Sequence, residues 1–69
     1  MKISARNQLK GKVKQITPGA VNAEVIVELP GGQEIVAIVT LPSVKNLALS
    51  KGDNVVAIVK ASSVILGVD

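Results

Sequence analysis

The chain has 69 residues with no Cys and no His, and 8 Lys and Arg stand against 5 Asp and Glu for a formal charge of +3. A chain this short makes one small domain near the lower limit of independent folding, and it can hold neither a disulfide, a thiolate metal site nor a histidine general base, which argues against an enzyme. Phe, Tyr and Trp are also absent although 48% of the residues are hydrophobic; so much aliphatic surface in so small a body predicts a tight oligomer that buries the remainder.

Lys2 to Gln8 is expected to be a short extended or turn segment, and it concentrates hydrogen-bond donors. Ser4 offers a hydroxyl, Arg6 a guanidinium, and Asn7 and Gln8 amides. Ala5 has no side chain to block an approach to the backbone. Such a segment suits a small anion, which only accepts hydrogen bonds, and a turn capped by Ser4 leaves backbone N–H groups pointing outward. The plainer reading makes Ser4 a turn cap and Arg6 a solvated charge. Short motifs arise often by chance, so this stretch alone favours the plainer reading.

Leu9 to Ile16 reads as a strand, with Lys10, Lys12 and Lys14 on one face. They make either a basic stripe for a nucleic-acid backbone or, as we prefer, a solvated edge strand that resists aggregation. Thr17-Pro18-Gly19-Ala20 is a turn. Val21 to Leu29 alternates, with Val21, Ala23, Val25, Val27 and Leu29 facing one way, and Pro30-Gly31-Gly32 reverses the chain. Gln33 to Leu41 is apolar on both faces, as in a strand covered on both sides, and a second copy of the chain is the expected cover.

Pro42-Ser43 opens a short helix with Ser43 as candidate N-cap. Val44, Leu47 and Ala48 follow one helical face, as in a plug over a barrel end. After the turn Ser50-Lys51-Gly52-Asp53, a strand runs from Asn54 to Lys60. Ala61-Ser62-Ser63 interrupts it, and Val64 to Val68 closes the chain as a last strand. The pattern predicts an all-β fold: one domain over residues 1–69, a small, partly open five-stranded barrel of the oligonucleotide/oligosaccharide-binding type with one short helix. Fold class does not by itself give function.

Lys60-Ala61-Ser62-Ser63 repeats the chemistry of the opening stretch: a cation, a small residue and two hydroxyls where a strand breaks and frees backbone N–H groups. An ordinary Ser-rich turn after a solvated Lys would look the same. The pair of stretches, Ser4-Ala5-Arg6-Asn7-Gln8 and Val59-Lys60-Ala61-Ser62-Ser63-Val64, resembles the molbindins, small molybdate-binding proteins of the Mop family. The similarity extends over the Gly11-Lys12-Val13 strand, the Ala23-Glu24-Val25 strand, the Pro-Gly-Gly hairpin and the Gly52-Asp53 turn.

That resemblance implies a TOBE-like β-barrel whose strands are exchanged between subunits of a hexamer, with molybdate bound at subunit interfaces. By matching motif, the ligand contacts fall to Ser4, Ala5, Arg6, Lys60, Ala61 and Ser62. The Gly19-Ala20 turn is small enough to add backbone amides from a neighbouring subunit. No cofactor and no direct protein–metal bond is implied; the ligand is the molybdate or tungstate oxyanion.

The donor set fits that ion. Molybdate is a tetrahedral dianion without a proton at neutral pH, so its oxygens demand donors alone. Phosphate retains a proton on part of its population, and a shell without Asp or Glu leaves that proton unpaired. Sulfate is rejected by its smaller size, whereas tungstate matches molybdate in both size and charge. The expected role is molybdate storage and homeostasis in the cytoplasm, away from membranes, because no apolar window is long enough to span a bilayer. Two other readings compete: a small basic nucleic-acid-binding barrel, which would lack aromatics on which to stack bases, and a purely structural assembly module.

Overall fold

The computed structural model describes all residues, Met1–Asp69. Four strands, β1 (Asn7–Pro18), β2 (Asn22–Glu28), β3 (Glu34–Thr40) and β4 (Asn54–Val59), form one antiparallel sheet in the order β3-β2-β1-β4. The sheet curls into a half-barrel. β1 pairs with β4 along its first half and with β2 along its second, from Lys12↔Glu28 to Pro18↔Ala23. The ladder shifts register between Val13 and Gln15. This bulge at Lys14 lets one strand serve both neighbours, since an extra residue bends a strand and increases its twist.

The inner face carries the core. Val13, Val25 and Val27 are buried together, and Ile16, Leu29, Ile35, Ala37, Val39, Leu49 and Val55 pack against them. Alternation places these side chains on one face, as period two requires. Gly11 continues the row beside this core, where a Cβ would stand 2.6 Å from the Glu28 carbonyl oxygen and 2.7 Å from a Val27 methyl. The β2–β3 hairpin closes through Leu29 N–H to the Gln33 carbonyl (2.8 Å) and Gly32 N–H to the Leu29 carbonyl (2.9 Å), with Gly32 at φ 89°.

Several expectations are corrected. The chain has four strands, not five: β4 stops at Val59, and a single 3-10 turn, Ala61–Ser63, follows. That turn is closed by Ser63 N–H on the Lys60 carbonyl and directs residues 64–69 away from the sheet. Ile65, Leu66 and Val68 are 92%, 90% and 100% exposed. β1 is an interior strand of the sheet rather than an edge, and it continues through Thr17 and Pro18. The helix α1 (Leu41–Asn46) is capped by Thr40, not Ser43: Thr40 Oγ1 accepts the Ser43 N–H at 3.1 Å. Its expected apolar face is cut short, because Leu47 is the C-cap and Ala48 takes φ 51°. Leu49, one residue on, reaches the core instead.

Only four residues are buried in this chain, and Val36 and Ile38 on the outer face of β3 remain 56% and 62% exposed. The expected second cover of β3 is therefore not supplied from within the chain. No helix is long and apolar enough to cross a membrane.

Candidate functional site

The β1–β4 ladder begins at Asn7↔Val59. One position beyond that rung, the Ser4-Ala5-Arg6 stretch enters β1 and the Lys60-Ala61-Ser62 stretch leaves β4, on backbones about 4.8 Å apart at the rung. The fold thus gathers at one end of the sheet two segments that are more than fifty residues apart in sequence. Arg6 and Lys60 flank the same rung, and neither meets a carboxylate: the ion pairs in the chain belong to Lys14. Five of the six residues are exposed and Ala5 is half-buried, so the place is open to solvent.

The backbone N–H groups there are unengaged, while the carbonyls of Ala5, Lys60 and Ala61 each accept a bond from within the chain. The N–H groups of Ser4, Ala5 and Arg6 have no acceptor within the chain, and those of Ala61 and Ser62 have none either. The Ala61–Ser63 turn explains the second pair: the first amides of any helical turn lack a partner. At the first stretch, the Gln8 side chain donates Nε2–H to the Ala5 carbonyl at 2.7 Å. Gln8, one of the donors noted in the sequence, is therefore engaged with its own chain.

The Gly19-Ala20 turn lies elsewhere, past Pro18 at the opposite end of the 12-residue β1. The Gly19 N–H donates to the Asn22 carbonyl at 2.7 Å, while the Ala20 N–H has no acceptor. Within one chain these two residues do not join the other six.

Lys14 shows what a cation does when carboxylates are present. At the bulge it hydrogen-bonds the Glu34 carboxylate and stands 3.7 Å from Glu28. The bond and charge of Glu34, with Glu28 adding to both, hold its ammonium above the usual lysine value. Of the lysine stripe, only Lys10 and Lys12 lack such a partner. No group of His, Cys, Asp or Glu is arranged to hold a metal ion.

A second feature adjoins the sheet. The outer edges of β3 and β4 carry no strand, and an apolar groove runs between them, with Ile35, Ala37, Val39, Val55, Ala57 and Val59 along its walls.

The TOBE domain family model matches residues 3–66. A probable molybdenum-pterin-binding protein of Haemophilus influenzae is 52% identical over 69 residues, covering the whole of both chains. The chain belongs to the molbindin (Mop) family of TOBE domains. Among solved structures, MopII from Clostridium pasteurianum superimposes with a TM-score of 0.92 at 45% identity, over 97% of this chain and all of that one. A molybdate-bound structure described as the cytoplasmic molybdate-binding protein ModG gives a TM-score of 0.95 at 52% identity, and there the whole of this chain matches 49% of the other. These relatives are described as binding proteins.

Proposed function

We propose that this molbindin chain binds molybdate, and tungstate with it, at the Arg6–Lys60 end of the sheet. The observation that carries the reading is the Asn7↔Val59 rung, which gives the two donor stretches a common location. Two cations without counter-ions and five unengaged N–H groups present donors to a tetrahedral dianion from two sides. Ser4 and Ser62 add hydroxyls that turn either way. Each charge-assisted bond contributes about 1.5–3 kcal/mol net, so three or four make a site in the micromolar range or tighter, on the order of −8 kcal/mol. The molybdate-bound relative supports the choice of ion.

The site is completed in an oligomer. The apolar groove between β3 and β4 has the place of a missing strand, and residues 64–68 form an apolar strand's worth of chain with no partner. In this reading the tail of one copy occupies the groove of another, which restores five strands by exchange and closes the barrel. The Ala20 N–H, remote within one chain, then reaches the ion from a neighbour. Six copies follow the molbindin pattern. The role is molybdate storage and homeostasis in the cytoplasm, without chemistry on the ion.

Isothermal titration of molybdate into the purified protein tests this, with sulfate and phosphate as controls and the oligomer's mass measured alongside. Saturable heat for molybdate and tungstate with silent controls is expected. No heat, together with no ligand-induced rise in melting temperature, would refute the oxyanion reading and leave an assembly module.

A further inference from the structure

An oxyanion site built largely from backbone amides has a specific hazard: every peptide that presents an N–H also carries a carbonyl, which repels the same ion. At Ala5 the chain has dealt with that carbonyl. Gln8 follows three residues later, and its Nε2–H donates to the Ala5 oxygen at 2.7 Å. The bond ties residue 5 to residue 8 across the point where the irregular segment becomes β1. It fixes the peptide between Ala5 and Arg6 so that its oxygen faces the Gln8 amide, and the N–H groups of Ser4, Ala5 and Arg6 remain without an acceptor.

We propose that Gln8 is a positioning residue for the oxyanion site: its amide holds the Ala5 carbonyl away from the ion and sets the arc of Ser4, Ala5 and Arg6. Gln8 does not touch the ion itself. This rests on the function proposed above. Other tasks for the side chain are absent, since Gln8 is exposed, makes no other side-chain hydrogen bond and is not part of the packed core. An exposed bond of this kind adds little to global stability but orients the segment on which binding depends.

The chemistry makes the two substitutions at this position unequal. Gln8→Met retains length and removes the donor, leaving the Ala5 carbonyl free to turn. Gln8→Glu retains length and places an ionised, acceptor-only group beside that carbonyl, so it drives the peptide out of its arrangement and adds a negative charge near the ion.

The test is titration of sodium molybdate into wild type, Gln8→Met and Gln8→Glu. Melting temperature without ligand, oligomer mass and the Ala5 carbonyl carbon-13 shift are measured on each. We expect about 3- to 10-fold weaker binding for Gln8→Met and a larger loss for Gln8→Glu. The ligand-free melting temperature and mass should stay at wild-type values while the Ala5 shift moves. Equal affinity in wild type and Gln8→Met would overturn the proposal. So would an affinity loss matched by a fall in ligand-free stability or by dissociation, which would make Gln8 a fold residue. A wild type that binds no molybdate ends the oxyanion reading itself and this inference with it, an outcome distinct from equal binding by the variants.

Discussion

Asn7 and Val59 form the end rung of the β1–β4 ladder, which puts Arg6 and Lys60 just past it on neighbouring segments, neither paired with a carboxylate. Both are cations without an ion-pair partner in the chain. Arg6→Ala and Lys60→Ala should each weaken molybdate binding roughly 10-fold or more, as expected for loss of one charge-assisted hydrogen bond. With no ion pair to lose, the ligand-free melting temperature should stay at the wild-type value. Titration and thermal unfolding of each variant check both parts, and normal binding in both variants would remove these positions from the site.

The exposed tail predicts a clean separation of folding from assembly. Leu66 is 90% exposed within the chain, so Leu66→Asp disturbs nothing inside it. Buried in a neighbour's groove, the same carboxylate would be costly to desolvate. Size-exclusion chromatography with light scattering should find smaller species that retain the β-sheet circular dichroism of the wild type. An unchanged oligomer would rule out tail exchange.

Gly11 is demanded by close approach rather than by backbone conformation. A Cβ there would sit 2.6 Å from the main-chain oxygen of Glu28, which has little room to yield. Gly11→Ala should destabilise the protein by about 1–3 kcal/mol through overpacking, measurable by chemical denaturation.

Thr40 caps α1 while Ser43 only shares its hydroxyl with it at 2.8 Å. Thr40→Ala should cost about 1 kcal/mol, and Ser43→Ala distinctly less. The opposite ranking in thermal unfolding would restore Ser43 as the cap.

The Lys14 ammonium is held above its usual value by the Glu34 hydrogen bond and charge. A raised value in the folded state means a contribution fully present below the unfolded lysine value of about 10.4. It is lost as the pH climbs through the folded value. A difference in melting temperature between wild type and Lys14→Met should therefore persist at neutral pH and disappear as the pH rises past the raised lysine value. A difference that grows with alkaline pH would contradict the arrangement.

β2 and β3 were legible because one face must be apolar at every second residue, and the Pro30-Gly31-Gly32 turn between them leaves no other way for the chain to go. The donor stretches were legible as chemistry but not as neighbours; only pairing across the sheet joins them. The bulge at Lys14 left a trace that went unread: Val13 and Ile16, three residues apart, both pack into the core, where unbroken alternation would put them on opposite faces. Two hydroxyl residues close together hid which one caps α1. The last segment misled for a deeper reason: Val64 to Val68 has a strand's composition, and composition does not say whether the partner strand lies in the same chain. Gln8 escaped because its amide can serve a ligand or a carbonyl with equal ease, and only the 2.7 Å bond to Ala5 decides.

The rung that unites the two stretches also makes the proposed binding depend on the folded sheet. Contacts between residues so distant along the chain are slow to close, because the loop entropy must be met before the contact repays it. A truncated product ending before Lys60 carries Arg6 but only half the donors. A ligand held by both stretches would bind the folded sheet and not the unfolded chain, and so would draw the folding equilibrium toward the native state.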